Sequence, residues 1–224
     1  YTLTRSSAAS DVYKRQALYR TWATASKIVP AVNVFHWRDW DADWSVEGQI
    51  ARPKLGGYRE VADFIDNPTL EGSGILNPRQ FVAGEEGERT PIDVINELRR
   101  LAEETLNGVD ELRKPEAGEE FRTLLDDLEA MAHLGRYYAE KIQAAVELAR
   151  FQKTGRGPHR TAAVARLENA VEHWEEYRQV AESNYKPQML ARSYRLDWTE
   201  IAENVKADID WAKTAPSSWR PPAD

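Results

Sequence analysis

Apolar positions recur at helical spacing through most of the second half of the chain. Thr90-Pro91 supplies an N-cap and a first-turn proline, with Asp93 in the first turn. Val94, Leu98, Leu101, Val109 and Leu112 follow at steps of three and four once Thr105 bridges, and Lys114-Pro115 ends the run. A second pattern, from about Glu119 to Lys153, carries Leu124, Leu128, Met131, Leu134, Tyr138, Ile142, Ala145 and Leu148. The stretch 154–158, TGRGP, closes it. A third, about His159 to Asn184, shows Val164, Leu167, Val171, Trp174 and Ala181. A fourth begins at Asp197, with Glu200 as a capping-box partner, and carries Trp198, Ile201, Val205, Ile209 and Ala212. These patterns predict a mainly α fold, a four-helix up-down bundle over residues 90–214, with a loose tail at 215–224.

Residues 17–89 follow a different pattern. Ala17 to Val29 reads as a helix with Leu18, Trp22, Ala25 and Ile28 on one face, stopped by Pro30. Residues 31–37, AVNVFHW, have the β-branched and aromatic bias of a buried strand. Tyr58 to Ile65 reads as a short helix, and Asn67-Pro68, Gly72, Gly74 and Asn77-Pro78 mark a long loop to Gly84. A lone strand needs neighbours that this chain does not supply, which reads as a sign of truncation.

Residues 1–16 show neither a capping signal nor an apolar period. Residues 6–16, SSAASDVYKRQ, resemble the translated sequencing-adapter tail of partial metagenomic reading frames. The stretch is therefore expected to be a non-native tail, with the true N-terminus lost and the export signal and compartment left open.

Composition narrows the classes. The chain has 224 residues, a net charge of −7 and no cysteine. The acidic balance disfavours nucleic acid and anionic membranes as partners. No apolar run is long enough to span a bilayer. Without cysteine there is no disulfide, thiol nucleophile or thiolate metal site. No phosphate loop, dinucleotide fingerprint or nucleophile elbow is present, and no cofactor is expected. His133 and His173 sit on predicted helices, but Ala130 and Ala170 stand where a di-iron bundle has glutamate, so no metal site is expected.

One segment concentrates binding chemistry. Residues 35–47, FHWRDWDADWSVE, set His36, Trp37, Trp40 and Trp44 among Asp39, Asp41, Asp43 and Glu47. Indole faces stack on the C–H faces of sugars, carboxylates accept hydrogen bonds from hydroxyls, and paired carboxylates are the machinery of glycoside hydrolysis. The alternative is a loop whose tryptophans cover a domain edge. Spacing does not identify a catalytic acid or base. Residues 85–120 hold twelve acids and five bases, readable as a docking surface or a solvated helix face. The stretch from Tyr185 to Trp198 is a long link of the kind that packs on a partner domain.

Several stretches in order carry a family resemblance: residues 18–22, LYRTW; Phe35-His36-Trp37; residues 72–76, GSGIL; residues 137–141, YYAEK; His173-Trp174; residues 187–192, PQMLAR; and Leu196-Asp197-Trp198. Together they resemble the C-terminal end of large bacterial, α-glucuronidase-like glycoside hydrolases. That resemblance implies a catalytic (β/α) barrel mostly upstream, with residues 17–89 as its last units and 90–214 as a helical bracing or dimerisation domain. It implies an oligo- or polysaccharide substrate, the upstream barrel as partner and a possible homodimer. The competing reading is a non-enzymatic helical scaffold or tetratricopeptide-like module.

Overall fold

The computed structural model describes residues 2–37, 58–113, 118–186, 188–190, 194–196 and 198–218. In chain order these form α1 (Thr2–Ala25), α2 (Ile28–Phe35), α3 (Val61–Ile65), α4 (Pro78–Ala83), α5 (Pro91–Leu112), α6 (Glu119–Thr154), α7 (Gly157–Asn184), β1 (Gln188–Leu190), β2 (Tyr194–Leu196) and α8 (Trp198–Thr214). The protein is mainly helical, and no helix among the described residues is long and apolar enough to cross a membrane.

The helices predicted from 90 onward form where the apolar spacing placed them. Thr90 caps α5 through its side chain and closes a capping box with Asp93. Val94, Leu98, Leu101, Thr105, Val109 and Leu112 are all buried along that helix. Gly155, at φ +67°, ends α6 in the left-handed region, which glycine enters without a Cβ penalty. The turn sends α7 back antiparallel against α6. Their alanines, Ala145, Ala149, Ala163 and Ala170 among them, are buried at the contact and let the two backbones approach. At 36 residues α6 alone exceeds a tetratricopeptide unit of roughly 34.

The four long helices do not close into the expected bundle. Each packs on its neighbour in sequence, α5 on α6, α6 on α7 and α7 on α8, while α5 and α8 do not form a closing pair. The open flank of α6 is covered instead by α2, α3 and α4. These short helices share one apolar cluster with the long ones, in which Ile28, Val32, Phe35, Val61 and Phe64 meet Leu98, Tyr138 and Trp174. No barrel unit is seen among the described residues.

Two local expectations are corrected, and the link after α7 gains a local structure. The expected strand at 31–37 is helix α2 up to Phe35, with Ile28, Val32 and Phe35 buried at helical spacing. Pro30 does not stop it, because it lies in the first turn, where the missing N–H costs no bond. The loop to Gly84 contains α4, capped by Asn77 with Pro78 at its start. The link after α7 is an antiparallel hairpin, with Gln188 opposite Leu196 and Leu190 opposite Tyr194.

The N-terminal stretch is helical as well. α1 runs unbroken from Thr2. Ala25 and Ile28 of the predicted face are buried, but Ala17 and Thr21 are buried in place of Leu18 and Trp22, and Trp22, 52% exposed, lies beside Tyr19. Tyr13 Oη donates to Glu111 on α5 at 2.6 Å.

Candidate functional site

α6 carries two adjacent charged residues into the interior. Glu140 is 7% exposed and Lys141 1%. They point to opposite flanks, and each organises a polar cluster.

Glu140 ties α6 to the helices on either side. Arg99 of α5 donates to its Oε1 at 2.5 Å, and Arg166 of α7 to its Oε2 at 3.2 Å. Burial raises the pKa of this carboxyl, but the hydrogen bonds and charges of Arg99 and Arg166 outweigh that and hold it below the usual range.

Lys141 faces α3 and α8. Its Nζ lies 2.8 Å from Asp208 Oδ2 and 2.8 Å from Tyr58 Oη, and it also donates to the Arg59 carbonyl. Tyr137 Oη is 3.2 Å away. The ammonium also sits 4.1 Å from the Tyr58 ring centroid, a cation–π contact. Asp208 is 2% exposed. Its Oδ2 accepts from Tyr58 Oη at 2.6 Å and its Oδ1 from the Val61 backbone N–H at 2.8 Å. Burial alone would lower the Lys141 pKa, but the Asp208 charge and the hydrogen bonds more than offset it, and the net shift is upward. Burial pushes the Tyr58 phenol well up, and the nearby Tyr137 and Asp208 add to it. Burial likewise raises Tyr137, against the opposing charge of Lys141. The raised values keep Lys141 an ammonium and the two phenols neutral at neutral pH. Asp208 is committed on both oxygens, so the cluster locks α3, α6 and α8 together and offers no poised acid or base.

A pocket of about 370 Å³ lies on the solvent side of this lock, between residues 58–60 and α8. Trp211, Glu60, Asp210, Asn204 and the back of Asp208 line it. Asn204 Nδ2 is buried there with no hydrogen-bond partner among the described residues. An indole and two carboxylates together form a surface suited to a polyhydroxylated ligand.

Of the residues singled out from sequence, His36 is fully buried and its ring stacks on Phe64 with centroids 4.4 Å apart. Trp37 is 40% exposed, and its backbone N–H donates to the Pro68 carbonyl at 2.8 Å. Asp39, Trp40, Asp41, Trp44 and Glu47 lie outside the described residues. From Phe64 a file of rings continues through Tyr138, Tyr137 and Trp174 to Tyr177. Trp198 closes it by donating its indole N–H to Tyr177 Oη at 3.2 Å.

The fold also brings His133 and His173 together with Glu176. The search for glutamate three residues before histidine missed this group, because the order here is His173-x-x-Glu176. The usable signal was that His133 and His173 stand at comparable distances from the Gly155 turn of an antiparallel pair.

No protein-family model matches the chain, and no curated protein sequence matches it. Among solved structures the fold is similar to a GH138 enzyme targeting the pectin rhamnogalacturonan II, with a TM-score of 0.59 and 16% identity. The match covers 70% of this chain and 26% of that one, so the chain corresponds to about a quarter of the enzyme's length. The likeness is one of fold, over that part of the enzyme.

Proposed function

We propose that this chain is the helical portion of a polysaccharide-degrading glycoside hydrolase, and that it contributes a sugar-contacting wall beside the catalytic domain. The likeness to part of the GH138 enzyme carries this reading. The wall has two parts: the Trp- and acid-rich segment 37–47, and the pocket of Trp211, Glu60, Asp210 and Asn204. The rigid lock of Lys141 and Asp208 under the pocket supports the reading, since a binding surface needs a fixed base. The long helices brace a neighbouring barrel, and the catalytic acid and base lie outside this chain. Pectic oligosaccharide of the rhamnogalacturonan II type is the substrate class to try first.

The test is calorimetric titration of the chain with such oligosaccharides, alongside Trp40→Ala, Asp41→Ala and Trp211→Ala. Loss of one charge-assisted hydrogen bond is worth roughly 1.5–3 kcal/mol, so Asp41→Ala should weaken binding by about tenfold to a hundredfold. Unfolding measured on the same variants should change much less. Absence of binding to pectic and glucuronic-acid-bearing oligosaccharides alike, or binding indifferent to all three substitutions, overturns the reading.

A further inference from the structure

We propose that His133, His173 and Glu176 form a binding site for one divalent transition-metal ion of the zinc class, held between α6 and α7. The inference is independent of the carbohydrate reading. His133 Nδ1 lies 2.8 Å from Glu176 Oε2, and His173 Nδ1 lies 2.9 Å from the same oxygen. One ligand atom from each of the three residues falls within 4.8 Å of the others.

The state of His133 points to a cation. The residue is 8% exposed, and its Nδ1 is buried with no aligned hydrogen bond although Glu176 Oε2 is in reach. The carboxylate thus sits beside the ring nitrogen but off the direction in which an N–H would point. Imidazole lone pairs and a carboxylate oxygen repel one another unless positive charge lies among them. For His173 a proton on Nδ1 suffices, since its hydrogen bond to Glu176 is well formed. For His133 a proton on Nδ1 has no acceptor in line. A metal ion drawn to all three ligands satisfies both rings at once.

The donor set and its mobility fit such an ion. Two imidazoles and one carboxylate are a recurrent zinc set that leaves a fourth position for water. Imidazole favours zinc, copper, nickel and cobalt over magnesium and calcium. Bonds of about 2.0–2.1 Å in a tetrahedron place ligands roughly 3.3 Å apart. The Glu176 oxygen would therefore retreat by about half an ångström, which its 47% exposed side chain allows. His173 and Glu176 share one helix face, and His133 comes from the antiparallel neighbour, so the ion would pin α6 to α7. Glu129 Oε1 lies 3.7 Å from His133 Nε2, beyond hydrogen-bond range but adding negative charge behind the ring. Arg113 already engages the other oxygen of Glu129, and Arg136 acts on Glu176. Those two cations limit the affinity.

The test uses tag-free chain titrated with zinc against a chromophoric chelator, and with cobalt followed by visible absorption. One equivalent of zinc should bind, cobalt should show the intense bands of a low-symmetry four- or five-coordinate site, and zinc should raise the melting temperature. His173→Ala and Glu176→Gln, at partly exposed positions, should each weaken zinc by roughly tenfold or more, since even outer partners cost that much. His159→Ala should bind as the parent does. No saturable zinc uptake overturns the proposal, as does uptake unaffected by His173→Ala and Glu176→Gln in folded protein.

Discussion

Lys141 Nζ and Asp208 Oδ2 are 2.8 Å apart, and the two side chains are 1% and 2% exposed. The pair joins the middle of α6 to α8, and Tyr58 seals it from solvent by bonding both partners. Removing one partner leaves the other charge buried alone. Lys141→Met and Asp208→Leu should therefore each cost about 3–5 kcal/mol, whereas the two together should cost less than either alone. Urea unfolding of the three variants checks this. A double variant as unstable as the sum of the singles would mean the two residues do not act as a pair.

The same cluster sets an alkaline limit. Lys141, Tyr58 and Tyr137 all have pKa values raised in the folded protein. A raised pKa contributes stability that is complete below the unfolded value, about 10 for tyrosine and 10.4 for lysine, and is lost as pH rises through the folded value. All three signs agree, so stability should hold to about pH 10 and then fall steeply. Tyr58→Phe should shallow that fall while lowering stability at neutral pH. Unfolding free energies measured between neutral and strongly alkaline pH provide the comparison.

Glu140 behaves in the opposite sense. Its pKa is depressed, so its contribution is present above the unfolded value of about 4.3 and is lost as pH falls through the folded one. Glu140→Gln should cost about 1–2 kcal/mol at neutral pH, a discounted figure because both guanidiniums keep contact with water. Parent and variant should converge in stability in acid. A gap that persists below the carboxylate range would assign the effect to packing.

α5 and α8 were legible because each has a polar face to contrast with its apolar stripe, and α6 and α7 by their length and the Gly155 stop between them. α2 was not, since Val29, Ala31, Val34 and their buried neighbours leave little polar contrast, and a short apolar run suits strand and helix equally. The spacing of Ile28, Val32 and Phe35 was nonetheless helical. α4 was overlooked although Asn77, Pro78 and Gln80 spell a capped start and Gly84 its end. Of the candidate site, the lock was missed because lysine and aspartate read as surface by default. The signal was position: Lys141 stands four residues after buried Tyr137, and Asp208 lies between Val205 and Ala212 on the buried stripe of α8. A charge on an apolar stripe asks for a partner, but sequence alone does not say which one.

Glycine weakens a helix interior, but Gly108, late in α5, is where α1 seats. A Cβ there would fall 2.2 Å from Thr21 Oγ1 and 2.9 Å from Thr21 Cγ2. Thr21 is 5% exposed, and its hydroxyl donates to the Ala17 carbonyl at 2.9 Å. Two effects then compete in Gly108→Ala. Helix propensity favours alanine by about 1 kcal/mol. The overlap with a buried, hydrogen-bonded side chain costs typically about 1–3 kcal/mol, or displaces α1. The overlap should win, and Gly108→Ala should melt below the parent, with α1 cut sooner by protease. Thr21→Ala removes the two closest atoms and leaves only its Cβ, 3.0 Å from the new methyl. The double variant should therefore be more stable than the sum of the two single changes predicts, by a coupling within the roughly 0.5–3 kcal/mol seen between touching residues. Simple additivity would show that α1 does not rest on Gly108.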